Sequence, residues 1–563
     1  LEAKPDVEVE NPLAYVSALA GFPIRARGPT RIGARMGRPE KAALRKMSPA
    51  PHVLFPIGKE GGPQRLVRDA VRAGAIDVEV GLRVCSACGK RWFLPKCTCG
   101  GHTVVKGSPR VQTIPLAEVW DAAAARVGLS KPPDVKGVQG VISASRTPEA
   151  LERGLLRAKH EINVFKDGTV RFDLTNLPLT HFRPSEIALS VERARALGYV
   201  HDMHGQPLVS PNQTVELRPQ DLIMSKEGGD CLLRVSRFLD DLLEKVYEMP
   251  PFYRALSPDD LLGQAVVTLA PHTSGGVLAR IIGYTPARAA FAHPYLIAAR
   301  RRNCDGDEDS VILLLDALVN FSRSFLPESR GGLMDAPLVL STRIDPNEID
   351  KEAHNLDLSN AYPLEFYEAT LRFAHPREVE TLMDLAGKRI GSVLQYEGFG
   401  FTHEGGDPSA GPTVSTYTQG DMETKLNAQL ELARKIRAVD PDDVVTRIVV
   451  HHLLPDMIGN MKAFSSQEFR CTKCNGKYRR LPLRGKCTKD VVAAVGSRKP
   501  CGGNLTLTVH ESSVRKYLEI TKRITEEYHV SNYLRQRIAL VEEAMKSLFT
   551  DASTQNLKLD DFF

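Results

Sequence analysis

The sequence predicts a multidomain α+β fold, and three observations carry that prediction. At 563 residues the chain is longer than one hydrophobic core serves, and a norm of roughly 100–200 residues per domain suggests three to five units. Apolar residues recur at helical spacing in stretches such as VWDAAAARVGL, and as short runs bounded by Gly and Pro in AVVTLAP and GVLARIIGY. Eight of the ten cysteines fall in two tight clusters, a pattern that points to metal in a reducing compartment rather than to disulfides. A content of 42% hydrophobic and 25% charged residues argues against wholesale disorder. No run of about 18 apolar residues exists to span a bilayer. The opening LEAKPDVEVENP lacks the basic-then-apolar order of a signal peptide, and with Leu1 in first place the chain is expected to be a piece of something longer.

Taken in order, the first 65 residues are punctuated by Gly, Pro and Arg and hold short strand-like pieces such as PHVLFPI. Within them, residues 25–47 carry six Arg and two Lys against one acid: a solvated basic face, or a surface for phosphates. The net charge of +6 permits a nucleic-acid partner without demonstrating one. Next come Cys85-x2-Cys88 and Cys97-x-Cys99, with Gly89 and Gly100 just after the paired cysteines. Tetrahedral zinc takes thiolates at about 2.3 Å delivered in close pairs from tight turns, and glycine lets the backbone turn under the metal. VWDAAAARVGL and TPEALERGLLRAKHEI are expected to be helices, FKDGTVRFDLTNLPLTHF a hairpin turning at Asp167-Gly168, and residues 229–247 an amphipathic helix around Cys231. Residues 264–315 form a small β-rich unit, 362–450 a mixed one. The second cysteine set follows: Cys471-x2-Cys474, then Cys487 and Cys501 with thirteen residues between the last two. Four sulfurs leave no open position for water, so both sets are expected to be closed structural zinc sites. Residues 511–549 are helical, and TQNLKLDDFF ends in two aromatics.

The stretch RRNCDGDEDS, residues 301–310, sets Asp305, Asp307, Glu308 and Asp309 in five residues between two apolar segments. Like charges this close repel, so the turn is either a solvated loop or a seat for a cation. An Asp-Gly-Asp turn can direct two carboxylates to one side, and Mg²⁺ prefers a few hard oxygens with the rest of its shell left to water and substrate phosphates. The Gly and Glu positions of an EF-hand loop are not matched. On the residues alone, both readings stay open.

The segment FAHPYLIAARRRNCDGDEDSVILLLDAL resembles the catalytic loop of two-barrel polymerases, in which an NADFDGD-type turn sits on a double-psi β-barrel. Asn303 stands where multisubunit RNA polymerases carry the first Asp, and in this the loop is similar to the large subunit of archaeal family D DNA polymerase. GARMGRPEKAALRKM, LRVCSACGK, VKGVQGVISASRTPEALERGLLRAKH, APHTSGGVLARIIGYT, SRGGLMDAPLVL and FRCTKCNGKYRRLPLRGKC resemble blocks of that subunit in the same order. The family's subunit is longer, and the chain resembles its C-terminal portion. The wide spacing of Cys487 and Cys501 departs from the family pattern, in which the last two cysteines lie close together.

The resemblance implies a multidomain α+β protein whose two-barrel polymerase core is built of double-psi β-barrels, with zinc-binding modules and a helical C-terminal region. It implies part of a basic first barrel at 1–80, a zinc module at 81–105 and a connecting or DNA-clamping region at 106–255. A catalytic barrel at 256–345, a mixed α/β region at 346–455, a zinc and helical small-subunit-binding region at 456–550 and a sliding-clamp-binding tail at 551–563 complete the division. The activity implied is template-directed DNA synthesis with two Mg²⁺ ions held by Asp305 and Asp307, and Asn303 as a neutral ligand or positioning group. Glu308 and Asp309 are expected to shape the local field or face solvent. Arg38, Lys41 and Lys46 are the residues expected at the triphosphate. Arg301, Arg302 and Arg330 are expected at DNA or phosphate, the bland alternative for Arg330 being a pair with Asp335. His272 is expected to be structural. Asn556, Leu559, Phe562 and Phe563 resemble a sliding-clamp-binding box. Implied partners are primer–template DNA, dNTPs, a small subunit carrying a proofreading exonuclease, and the sliding clamp, in the cytoplasm of an archaeal cell and with no membrane. Two other readings compete: a two-barrel RNA polymerase, which sugar selectivity would distinguish, and a non-catalytic zinc-containing DNA-binding scaffold.

Overall fold

Between residues 172 and 313 the chain supplies six strands that close on one another: β1 Phe172–Pro178, β2 Asp221–Ser225, β3 Ala265–Leu269, β4 Gly275–Thr285, β5 Ala290–Ala292 and β6 Glu308–Leu313. The computed structural model describes residues 12–24, 47, 49–62, 64–402, 407–411, 413, 420–436, 439–472, 476–492, 498–507 and 509–549. Its hydrogen-bonded strand order is β3-β6-β1-β5-β2-β4, and β4 pairs back onto β3 to complete a ring. The pairs β1/β5 and β2/β4 are parallel and the other four antiparallel. Every residue of β2 and β5 is buried, which is why these segments show no polar alternation. A further short strand, Val339–Ser341, lies parallel to β4 outside the ring. The fold is thus mixed α+β around a closed six-stranded barrel, and its first two strands lie well before residue 256, within the stretch expected to be a connecting region. Their pairings are non-local, so no local pattern announces them.

Helix α1, Lys226–Val246, leaves β2 without a loop, its start capped by Ser225, whose Oγ accepts the Gly228 N–H at 3.1 Å. Leu232, Val235, Phe238, Leu239 and Leu242 make its buried stripe at helical spacing. Gly229 is required by closeness: a Cβ there would lie 2.7 Å from the Tyr284 ring on β4.

The stretch expected as a hairpin at Asp167-Gly168 keeps its turn but not its first strand. Gly168 has φ +95° and its N–H bonds the Phe165 carbonyl at 3.0 Å, while the residues before the turn form no strand. β1 pairs with β6 and β5 instead, because closing the ring satisfies both of its edges. The turn is also pinned from inside. Arg157, on the helix Leu151–Lys159, donates to both oxygens of Glu149 at 2.9 and 2.8 Å, to the His52 carbonyl at 3.1 Å and to the Gly168 carbonyl at 2.8 Å. Both side chains of this ion pair are fully buried.

The chain divides into two compact units, Leu1–Gly28 with Leu44–Ser415, and Pro29–Ala43 with Thr416–Phe563. The second holds the helices Met422–Lys435, Pro441–Ile448, Leu454–Ser466, Glu511–Glu527 and Asn532–Phe549, which share one apolar core. Among its described residues, 346–455 contains no strand, against the mixed character expected there. The β-branched run Val444, Val445, Ile448, Val449 reads locally as strand, but Val445, Ile448 and Val449 fall on one helical face that the bundle buries. Val449–Leu453 widens to a π turn directly before Pro455, which has no N–H to continue the regular ladder.

Candidate active site and metal centres

The acidic turn hangs between helix α2, Pro294–Ala299, and strand β6. Asp305, Asn303 and Glu308 are exposed and Asp307 is half-buried. Asp307 is fixed twice: its carbonyl accepts the Asn176 N–H at 3.0 Å, and its Oδ2 accepts the Asn303 N–H at 3.2 Å. The structure thus brings Asn303 and Asp307 together. Gly306 has φ +98°, where a side chain would strain the backbone although its nearest neighbours, Thr175 and Leu177, leave room for one. Cys304 turns inward against the core, and burial pushes its thiol up to about 11.

Asp309 does not face solvent. It is 1% exposed, because in β6 it shares the inward phase with Val311 and Leu313. Its carboxylate meets the buried Arg300 guanidinium at 2.6 Å and accepts the Asn176 side-chain amide. Burial raises its pKa to about 6, with Arg300 pulling the other way. Arg300 and Asn176 were not singled out in the sequence, since neither the triple Arg run nor the TNLP stretch signals a buried pairing. The signal that could have placed Asp309 is its position in the buried phase of an apolar strand.

Of the other expected contacts, Arg301 is exposed with φ +57°. Arg302 is half-buried and donates to the Pro271 carbonyl. Arg330 is exposed at the start of the short helix Arg330–Leu333, which Ser329 caps. Asp335 accepts the His272 N–H at 2.6 Å and lies 3.9 Å from the Lys166 amine. Arg38, Lys41, Lys46, Asn556, Leu559, Phe562 and Phe563 lie outside the described residues.

Cys85, Cys88, Cys97 and Cys99 bring their sulfurs within 4.8 Å of one another. Strands Arg83–Cys85, Arg91–Trp92 and Thr103–Val105 form the small sheet that carries them. Gly89 and Gly100 have φ +69° and +86°, and their N–H groups bond the Cys85 and Cys97 carbonyls at 3.0 and 2.9 Å, closing both turns. The backbone N–H of Cys99 draws the Cys97 thiol down to about 6, favouring the thiolate a metal needs. Gly101 is a position the sequence reading missed: a Cβ there would lie 2.9 Å from Cys85 Sγ.

Cys471, Cys487 and Cys501 likewise gather their sulfurs within 4.8 Å, and Cys474 lies outside the described residues. Asp490–Val492 and Arg498–Pro500 pair as an antiparallel ribbon, so the long spacer leaves and returns beside Cys487. Cys501 N–H bonds the Lys489 carbonyl at 2.9 Å and Gly502 N–H the Cys487 carbonyl at 3.0 Å. The unusual spacing is therefore compatible with a compact cluster. Tyr478 supports it, its hydroxyl 3.1 Å from Cys487 Sγ and accepting the N–H groups of Thr488 and Lys489 at 2.8 Å each. Both clusters could hold a metal ion, and their all-sulfur donor sets are consistent with zinc.

A family model described as "DNA polymerase II large subunit DP2, catalytic domain" matches residues 128–425, and one for the central domain of the same subunit matches residues 1–117. The chain belongs to the DNA polymerase II large subunit family. The barrel and its acidic turn lie in the part matching that family's catalytic domain, and the first cysteine cluster in the part matching its central domain. The DNA polymerase II large subunit of Methanocella arvoryzae is 50% identical over all of this chain and 52% of its own length. That of Methanococcoides burtonii is 49% identical over 98% of this chain and 50% of its own. That of Pyrococcus furiosus is 49% identical over 93% and 43%. The chain spans about half the length of the curated relatives it matches. Among the described residues no helix is long and apolar enough to cross a membrane.

Proposed function

We propose that this chain carries the catalytic centre of a replicative DNA-directed DNA polymerase, with Asp305 and Asp307 as the ligands of its catalytic Mg²⁺ ions. The observation that carries the reading is an Asp-Gly-Asp turn, mounted on a closed barrel, inside the part of the chain that matches the family's catalytic domain. The donor set suits the ion: hard carboxylate oxygens, one exposed and one half-buried, leave access for water and phosphate oxygens. Asp305 and Asp307 would hold the ions, whose chemistry would be to lower the pKa of the primer 3′-hydroxyl and to neutralise charge on the departing pyrophosphate. Asn303 is exposed and positions Asp307 through its backbone N–H. The two parallel strand pairs in an otherwise antiparallel ring support reading the barrel as a double-psi barrel, one half of a two-barrel core.

Exposed Arg301 and Arg330 are assigned to DNA or phosphate, and Arg38, Lys41 and Lys46 to the triphosphate. Arg302 has a weaker case, since it is already engaged with Pro271. Such backbone contacts would make binding salt-dependent and largely independent of sequence. The cysteine clusters are assigned to structural Zn²⁺. The helical region is assigned to a small subunit bearing the proofreading exonuclease, and Asn556, Leu559, Phe562 and Phe563 to a sliding clamp, in an archaeal cytoplasm.

The test is Mg²⁺-dependent extension of a primed DNA template by the chain with its small subunit. Asp305→Asn should abolish extension with dNTPs while duplex binding, read by anisotropy, survives. Extension undiminished by Asp305→Asn would refute the assignment, and preferential use of rNTPs would favour an RNA polymerase.

A further inference from the structure

Directly behind the acidic turn lies a group of buried polar side chains that the proposed chemistry does not use. Arg300 follows the last residue of α2 and Asp309 is the second residue of β6, so the two bracket residues 301–308 at their neck. Their side chains are 0% exposed, with Nη1 and Oδ2 2.6 Å apart. Arg300 Nε donates to the Leu296 carbonyl at 2.9 Å, which fixes the guanidinium on the helix. Asn176, on β1, donates its side-chain amide to the same Asp309 oxygen and its backbone N–H to the Asp307 carbonyl at 3.0 Å. Three elements therefore meet on one carboxylate, and one of them also holds an acid of the turn.

The arrangement is a poor way to gain stability. Desolvating two charges costs several kcal/mol, and apolar residues of similar volume often serve as well or better. Among the described residues, Asp309 Oδ1, Asn176 Oδ1 and Arg300 Nη2 are buried without a hydrogen-bond partner, which adds to the cost. What the group does achieve is to define where the two ends of the turn stand relative to β1.

We propose that Arg300, Asp309 and Asn176 are positioning residues, a buried clasp that holds Asp305 and Asp307 in the orientation that takes a divalent cation. This rests on the reading of Asp305 and Asp307 as cation ligands, and the test separates the two. In the complex of the chain with its small subunit, the half-saturating Mg²⁺ for primer extension would be measured, together with the Mn²⁺ dissociation constant from the spin-resonance signal of the free ion. Arg300→Met/Asp309→Leu removes the pair without stranding a charge, and both values should rise about ten-fold or more, the usual consequence of losing a ligand's support. Asn176→Ser keeps both charges, so it decides the matter even where the double variant does not fold, and about a three-fold rise is expected. Arg157→Met/Glu149→Leu deletes a second fully buried pair, which bonds His52, Leu54 and Gly168, and should shift the melting temperature but neither metal value. Folded clasp variants with wild-type metal dependence would overturn the clasp alone. Wild-type Mn²⁺ affinity in Asp305→Asn would overturn the reading beneath it, whatever the clasp variants do.

Discussion

The first cysteine cluster and the acidic turn solve the same local problem with opposite outcomes. Each uses a glycine at positive φ, Gly89 and Gly100 in one and Gly306 in the other, to bend the chain around grouped ligand atoms. The cluster converges four sulfurs to within 4.8 Å and leaves no position open. The turn presents few oxygens, and Asp305 stays exposed. A closed set of soft donors braces a fold, whereas an open set of hard donors keeps room for a substrate. The difference lies in how many ligands the backbone delivers, since the bending device is shared.

The largest effect expected from this contrast is on the cluster. Stripping metal with a chelator, or Cys97→Ser, should unfold the 83–105 module, since structural zinc contributes on the order of 10 kcal/mol of folding free energy. Hydrogen exchange of the Arg83–Cys85 and Thr103–Val105 amides would show it, while Mg²⁺ removal should leave those amides unchanged. Asp307→Asn should do the reverse. Its amide oxygen can still accept the Asn303 N–H, so the melting temperature should hold or rise slightly as like charges are relieved. Primer extension should fall about a thousand-fold, equivalent to several kcal/mol of transition-state stabilisation. Gly101→Ala comes next: its Cβ would press on Cys85 Sγ, costing about 1–3 kcal/mol of overpacking and loosening zinc, which a metal-competition titration would read.

The smallest effect separates scaffold from metal. Burial, then the charges of Lys136 and Arg157, depress His52 to about 4, and its Nδ1 accepts the Lys136 N–H at 3.1 Å. A histidine depressed on folding contributes fully above its unfolded pKa near 6.5, and that contribution is lost as pH falls from there through about 4. Acid also protonates the thiolates, so the two losses overlap in the wild type. His52→Asn keeps an acceptor without the titration. In chelated protein it should flatten the fall of the urea midpoint between pH 6.5 and 4, and an unchanged slope would assign that fall to other groups such as His181 and His293.

Legibility followed the range of the interactions. β3, β4 and β6 showed as apolar runs, and the helix at 229–247 by its stripe, because these depend on neighbours in sequence. β1 reads as half of a hairpin, since alternation names a strand but not its partner. The second cysteine set was found by residue type, but the ribbon that reconciles its long spacer needed the register of Asp490 with Pro500. At the acidic turn, Asp305 and Asp307 stood out as charges between apolar segments. Arg300 and Asn176 did not, since a buried arginine spells the same as an exposed one and Asn176 reaches Asp309 only through the pairing of β1 with β6.

The ring has a consequence for how the turn can move. β6 is bonded along both sides, to β3 and to β1, so its amides can open to solvent only when the barrel itself comes apart. Just before it, the Asp307 carbonyl still accepts the Asn176 N–H of β1 at 3.0 Å. Asp309 thus belongs to a strand bonded on both sides, and Asp305 to the exposed part of the turn that this strand carries. On the proposed reading, a turn so mounted would meet each incoming nucleotide on a foundation that does not shift between one addition and the next.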